Sequence, residues 1–474
     1  MSTFNLALEA WQAGAELRKR RSRYKKFAYG RQWDDMITTP DGDRMSERAY
    51  AEICGQTPLT NNVIRQLIKS VVGNFRSSLA ENDGNAGASE PDSATARRNS
   101  LTEMDCRMLE EFLISGCAIQ RIVAEKRPGG SGVWVDNVSP DDFFVNRYCD
   151  PRGLDIELIG MLRAMSLREV VMRYGSTPSK AEAIGRAYAR DAEPLSASQI
   201  GSSDGDSHFF RAPAGRCRVI EVWTLESRTL LRCHDRERGS FFVADNNSRT
   251  RLHNINELRN GSGEAGIDVR PSTTLRWHCR VYAPTGLLLD DYDSPFGHGS
   301  HPFALKLYPL IDGEVHSLVE DVIGQQRHIN RIITLIDHIM SVSAKGVLLF
   351  PEDQKIDSMS WDELGAAWAR SDSVLPYRPG GGSSEPHQVV GACENPGAYR
   401  MLETQLNLFQ QISGVSENLR GRMPAYQTSA ATLDSQLHTS AIAMLDLIDT
   451  FNGFRMERNR MMAATMPGVG RLRG

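Results

Sequence analysis

The sequence predicts an α+β protein, and three observations carry that prediction. A long helical pattern lies between Gly313 and Lys345, a run of period-two alternation occupies residues 218 to 295, and helical patterns recur on both sides of that run. In the long helix Val315, Leu318, Val319, Val322, Ile323, Ile329, Ile332, Ile333, Leu335, Ile336, Ile339 and Met340 recur mostly three and four residues apart, which gives one apolar face. At 1.5 Å per residue it would run roughly 45 Å. Its middle is different: Gln325, Gln326, Arg327, His328, Asn330 and Arg331 gather amides and cations into two turns between apolar ends, as a solvated face or a functional one.

A chain of 474 residues can bury at least one large core and would divide into about two to four domains. The net charge of −4 argues against a surface that grips nucleic acid all over, while leaving room for a local basic lining. There is no apolar run long enough to cross a membrane as a helix, and the N-terminus lacks the apolar stretch and cleavage site of a secretory signal. Cys54, Cys106, Cys117, Cys149, Cys217, Cys233, Cys279 and Cys393 are scattered, with no CxxC pair and no metal-ligand spacing, so reduced thiols are expected.

The first element is a helix over residues 5 to 29 with the cationic run Arg18, Lys19, Arg20, Arg21, Arg23, Lys25 and Lys26, which reads as a solvated face or as a contact for an acidic partner. Tyr29-Gly30-Arg31-Gln32-Trp33 sets two aromatic anchors around a turn glycine. Thr60-Asn61-Asn62 caps a helix carrying Val63, Ile64, Leu67, Ile68, Val71 and Val72, and Glu81 to Ser93 reads as a loop. A helix from Glu103 to Ser115 follows, then strands Ile119 to Ala124 and Val133 to Val138 around Pro128-Gly129-Gly130-Ser131-Gly132, a hairpin signal.

Ser166 and Glu169 form a capping-box pattern at the head of a helix to Tyr174, and a second helix runs from Ser179 to Ala189. Residues 192 to 215 are polar and glycine-rich, so they are expected to be exposed or poorly ordered. Beyond Cys217 the segments RVIEVWTL, LLRCH, FFVA, LRWHCRVYA and LLLDDY read as short strands with turns at Gly261-Ser262-Gly263 and Pro284-Thr285-Gly286. After the long helix come a short strand (Gly346 to Phe350), a small helix with Ser360 and Glu363 as its capping box, a loop at Pro379 to Ser384, and a helix from Asn395 to about Ile412. Periodicity breaks from Ser413 to Pro424 and resumes at Ser429 along a second long helix. The break therefore holds Arg420 and Arg422 in a loop between two helices.

Searches for chemistry find little. There is no phosphate-cradling GxxxxGK[ST] run, and Arg127-Pro128-Gly129-Gly130-Ser131-Gly132 lacks the lysine and helix such a site needs. No GxSxG elbow surrounds a serine. The doublets Asp141-Asp142 and Asp290-Asp291 suit turns and caps, and His298 and His301, beside glycines, suit a loop better than a metal. No cofactor is implied.

Several stretches, in order, resemble the portal proteins of tailed bacteriophages. They are Tyr29-Gly30-Arg31-Gln32-Trp33, the helix Asn61 to Asn74, Glu110 to Val123, and Val138-Ser139-Pro140-Asp141-Asp142-Phe143 with Asp150-Pro151. Further on come Ser300 to Pro309 with Asp312-Gly313-Glu314-Val315, then Gln326 to Asn330, and Ile412-Ser413-Gly414-Val415, so that residues 15 to 465 are spanned. The resemblance implies a portal-like fold: an α/β wing (1–165 and 345–412), a stem or linker (166–217), an inserted mostly-β clip (218–300), a stem helix (301–344), a tunnel loop (413–428), and a long wing helix with a truncated helical crown (429–474). The truncation is expected because the chain stops at Gly474, soon after the long helix.

It also implies a partner set. The chain would form a homo-oligomeric ring, generally a dodecamer, at a capsid vertex of the virion, assembled in the host cytoplasm with capsid and scaffold proteins. The ring would pass double-stranded DNA and dock the terminase large subunit and the head-tail adaptor, with no membrane involved. Arg420, Arg422 and Lys345 are the candidates to face DNA in the channel, contacting phosphates without reading bases. Gln325, Gln326, Arg327, Asn330 and Arg331 are the stem candidates. A mildly acidic total charge suits a channel through which DNA slides. Two other classes stay open: an adaptor-like structural phage protein, whose long helix would bury its apolar stripe within one chain, and a metal-dependent nuclease, which would need a carboxylate cluster.

Overall fold

The computed structural model describes residues 2–82, 93–128, 130–189, 205–343, 347–352, 355–369, 375–378, 385–389, 396–415 and 430–465. Helices and strands both contribute heavily, as an α+β chain requires. The expected first helix is two, α1 (Thr3–Ala13) and α2 (Ala15–Ala28). They separate at Gly14, where a Cβ would come within 2.8 Å of Arg18 Nη1. That space lets the Arg18 guanidinium sit 3.5 Å from the centroid of Trp11 and donate to Trp11 O at 2.6 Å.

A hairpin of β1 (Met36–Thr38) and β2 (Arg44–Ser46) leads into α3 (Glu47–Ile53), capped by Ser46 Oγ, which accepts from Ala49 N at 3.2 Å. Helix α4 (Val63–Asn82) continues past its expected end, and α5 (Ser93–Asn99) precedes α6 (Leu101–Ser115). Gly116 ends α6 at φ +71°, and a Cβ there would meet His316 O and Val315 Cγ1 at 2.9 Å, so both backbone and space demand glycine. The hairpin β3 (Cys117–Arg127) and β4 (Gly130–Asn137) is where the sequence places it.

After β5 (Phe143–Val145) comes β6 (Leu158–Met165), absent from the sequence reading because a strand buried on both faces has no alternation to show. Helix α7 (Leu167–Tyr174) takes its cap from Ser166 Oγ, which accepts from Glu169 N at 3.2 Å, and α8 (Pro178–Ala189) follows. Of the stretch 192 to 215, expected to be exposed or poorly ordered, residues 192–204 lie outside the described residues; in the remainder helix α9 (Gly205–Phe210) corrects the expectation, since Phe209 is fully buried. Several of the expected short strands join into long ones, β7 (Cys217–Asp235) and β9 (Ile267–Tyr282). Between them lie β8 (Ser240–Asp245) and α10 (Arg249–Ser262), a helix where only loops were expected; β10 (Leu288–Asp293) completes the set.

The remainder is β11 (Phe303–Leu307), β12 (Pro309–Ile311), β13 (Glu314–Val315), α11 (Leu318–Ser343), β14 (Val347–Leu349), α12 (Trp361–Ala369), β15 (His387–Val389), α13 (Pro396–Ser413) and α14 (Ala430–Thr465). The capping box of α12 forms in full: Glu363 N donates to Ser360 Oγ at 3.1 Å and Ser360 N to Glu363 Oε2 at 2.7 Å.

The chain forms two compact units. The larger comprises Met1–Ala28, Gln66–Asp321 and Gly414–Gly474. Its main sheet is antiparallel, in the order β10-β9-β7-β6-β5 with β8 on β7, and a second sheet has the order β11-β3-β4. Ile159, Val219, Trp223 and Cys279 of the main sheet share one core with Ile119 and Phe303 of the second. The opposite face, through Leu158, Leu162, Ile220 and Val222, packs on Trp11 and Phe209.

Strand β7 pairs with β6 only over Cys217–Thr224 but with β9 as far as Asp235. The far ends of β7 and β9, with β8 and α10, make a lobe with its own small core of Leu231, Cys233, Leu252 and Ile267. Arg259 clamps Asp235 through bonds of 2.8 and 3.1 Å, and Asn256 bonds both N and O of Ile267 at 2.7 and 2.8 Å.

The smaller unit comprises Tyr29–Arg65 and Val322–Ser413. Trp33, Val63, Ile64, Val322, Ile323, Ile329, Leu364 and Phe409 are among its buried apolar side chains.

Candidate functional site

The polar middle of α11 lies in the smaller unit. Helix periodicity puts Gln326, Asn330 and Thr334 four apart on one stripe, and all three are buried. Gln326 Oε1 accepts from Val63 N at 3.0 Å and Ile64 N at 3.1 Å, while its Nε2 donates to Asn61 O at 2.6 Å and Asn330 Oδ1 at 3.0 Å. Asn330 accepts from Asn61 N at 3.1 Å and donates to Gln32 Oε1 at 2.5 Å, and Thr334 Oγ1 accepts from Leu59 N at 3.0 Å. The first amides of a helix have no partner inside it. Here α4 is capped by Asn62, whose Oδ1 accepts from Arg65 N at 2.9 Å, and by Gln326 reaching in from another helix.

Arg327 and Arg331, on the neighbouring stripe, both hold the buried carboxylate of Glu47, at 3.0 and 2.6 Å. Of the stem candidates, Gln326, Asn330, Arg327 and Arg331 are thus engaged in fastening α11 to the loop before α4 and to α3. Gln325 is half-buried, and its side chain makes no hydrogen bond to another described residue. Glu47 is the functional-looking residue that sequence reasoning missed; only its place after a serine cap marked it, and nothing local paired it with arginines some 280 residues on.

The cationic run of α2 is largely consumed within the larger unit. Arg18 covers Trp11, Arg20 lies 3.9 Å from Glu320, and Arg23 stacks on Phe27. Arg21 is buried, bonding Glu111 at 2.6 and 2.8 Å and also Asp141. Burial alone would lower its pKa, but the bonds and charges of Glu111 and Asp141 outweigh that and raise it. Lys19 and Lys25 stand exposed.

The acidic doublets serve the same purpose. Asp142 meets His208 at 3.0 Å and Arg218 at 3.3 Å, and Asp291 meets His278. His298 stacks on Phe296, and His301 Nδ1 accepts from Phe303 N at 3.3 Å, so both act as loop residues. Among the described residues no group of three or more His, Cys, Asp or Glu could hold a metal ion, and no helix is long and apolar enough to cross a membrane.

The interruption between α13 and α14 is framed as the sequence implies: α13 ends at Ser413, Gly414 turns at φ +66°, and α14 begins at Ala430. Arg420, Arg422 and Lys345 lie outside the described residues. The family model described as Phage P22-like portal protein matches residues 6–469, nearly the whole chain.

The chain belongs to the P22-like portal protein family. A search of curated proteins finds no match. The portal family is a structural one of phage capsids, and membership makes the chain a phage head-tail connector component.

Proposed function

We propose that the chain is the subunit of a portal ring at one capsid vertex, a channel for DNA during packaging and ejection that docks the terminase large subunit and the head-tail adaptor. The observation that carries this reading is the family match across residues 6–469. A feature of the smaller unit supports the ring. Leu335 and Met340 of α11, and Met401, Leu408 and Ile412 of α13, are exposed although they belong to apolar helical stripes. Large apolar side chains set in rows on a small core mark a surface covered by other protein.

In this reading the two strand-and-helix units supply wing and stem, the clip of residues 218–300 includes the lobe of β8, α10 and the ends of β7 and β9, and the segment 413–428 is the tunnel loop. Arg420, Arg422 and Lys345 would then form basic girdles against the phosphates. Mass measurement of the native particle, with negative-stain images of the same sample, tests the reading. A closed ring many times the 52.7 kDa chain mass supports it, and a stable monomer at all concentrations refutes it. Given a ring, charge reversal at Arg420 and Arg422 lowers the DNA packaged per particle without changing the ring.

A further inference from the structure

The lobe at the end of β7 and β9 has one covered face and one open face. Its sheet runs β8-β7-β9, and α10 lies against the side of Leu231, Cys233 and Val269. Alternation puts Phe241, Val243, Arg232, His234, Asp268 and Arg270 on the other side. There Phe241 is 81% exposed and Val243 61% exposed, and Phe241 stacks on His234 at 4.2 Å between ring centroids.

Two details of this face call for a partner. Arg232 and Arg270 are directly opposite in the β7–β9 register, a like-charge pair that destabilises a sheet unless an anion sits between or beside them. The acids on the same face do not neutralise them: Asp268 is bonded to Arg236 at 2.8 Å, and neither Asp245 nor any other described acid lies within ion-pair distance of Arg232 or Arg270. The second detail is the edge. Among the described residues β8 pairs only with β7, in continuous register from Leu230↔Asp245 to Asp235↔Ser240, so its outer edge is open. Protected edges carry proline, lysine or a bulge. Strand β9, on the far side of this sheet, carries Pro271; β8, reading Ser240-Phe241-Phe242-Val243-Ala244-Asp245, carries none of these.

We propose that the outer edge of β8 takes up an extended acidic segment of a partner protein as an added strand, its backbone pairing with β8, its apolar side chains lying on Phe241 and Val243, and its carboxylates reaching Arg232 and Arg270. This rests on the reading of the lobe as the clip. The open backbone edge favours a polypeptide over DNA, because a phosphate backbone would use the arginines but leave the edge unpaired. A second copy of this chain is disfavoured: pairing through its own β8 would bring a second Arg232 and Arg270 to a face already cationic, and its β9 edge is blunted by Pro271.

The probe is a fluorescein-labelled peptide, Thr-Val-Thr-Glu-Thr-Val-Thr-Glu-Thr, which places Val and Glu on one face of a strand; binding to the full chain is followed by fluorescence anisotropy. The wild type binds it, the double substitution R232E/R270E weakens binding at least tenfold and gains affinity for the counterpart with Lys in place of Glu, and N-methylation of alternate peptide amides abolishes binding in one of its two phases. The substituted residues are exposed, so circular dichroism should match the wild type. No binding to the wild type, equal binding of the Lys peptide, or indifference to N-methylation in both phases overturns the proposal. So does a twelve-base-pair duplex that binds through Arg232 and Arg270 while the peptide does not. The particle mass reports the ring separately: a monomer that still takes up the peptide refutes the ring and leaves this edge standing.

Discussion

Arg458 of α14 donates to both oxygens of Asp105 on α6, at 2.7 and 3.1 Å, and both side chains are buried. Arg455, one turn earlier, donates to the same carboxylate at 2.9 Å, and Asn459 Oδ1 accepts from Arg458 Nε at 2.8 Å. One carboxylate therefore ties two successive turns of α14 to the helix that backs β3. The last turns of α14 are held by charge as well as by Phe451 and Phe454, which the sequence shows only as two aromatics three apart.

Removing one member of such a buried pair leaves the other uncompensated. Asp105→Asn, nearly identical in shape, is expected to cost about 3–5 kcal/mol, measured as a fall in the urea midpoint of the larger unit. Replacing both partners with apolar residues, Asp105→Leu with Arg458→Met, recovers much of that loss. If D105N unfolds like the wild type, the pair does not hold α14.

In α11, Gln326 and Gln325 are adjacent in sequence and opposite in role. Gln326→Leu strips acceptors from Val63 N and Ile64 N and a donor from Asn61 O, and each buried group so exposed costs about 1–3 kcal/mol. Gln325→Ala changes stability by about 0.5 kcal/mol or less. Equal effects in chemical denaturation would contradict the hydrogen-bond assignment.

Local signals in the sequence foretold local structure. The caps at Ser166 and Ser360, the hairpin around Gly130 and the helix end at Ser115 are written in a few neighbouring residues, and each is present. The misses have another origin. Strand β6 is buried on both faces and so has no alternation, α10 has an apolar face too thin to stand out, and α9 is anchored by Phe209 in a stretch whose composition is polar. The amide-rich middle of α11 was visible as an anomaly, yet whether it faced outward or inward depended on Glu47 and Asn61, which only the fold brings near. Family membership rested on the order of weak motifs, and no single residue could have supplied it.

His301 sets a pH dependence. Burial lowers its imidazole to about 3, with the like charge of His298 as a second cause in the same direction, while Trp277 meets its ring edge-on at 4.7 Å. The native state holds the ring neutral, so the unfolded state takes up a proton first. Stability is unaffected above about pH 6.5, the ordinary histidine value, and falls as pH drops from there towards 3, by at most about 1.4 kcal/mol per pH unit for this group. His298 is lowered too, also by burial, and adds to the slope in the same direction. His301→Phe should flatten the decline in Tm between pH 6.5 and 4. A decline of unchanged steepness would show that other groups dominate.

The exposed stripe of α13 makes a prediction about assembly. Met401, Leu408 and Ile412 are seven and four residues apart, which places them on one face of the helix, and all three are exposed in the isolated chain. A face of this kind loses its favourable burial when a charge is placed on it, while the chain's own core, which these side chains do not join, stays intact. Leu408→Glu combined with Ile412→Glu should therefore leave the circular dichroism spectrum and the unfolding midpoint of the single chain unchanged, and shift the native particle from the proposed ring to the 52.7 kDa chain. The same pair of substitutions in a chain that still forms a full ring would place these side chains outside the subunit contact and move attention to Leu335 and Met340 on α11.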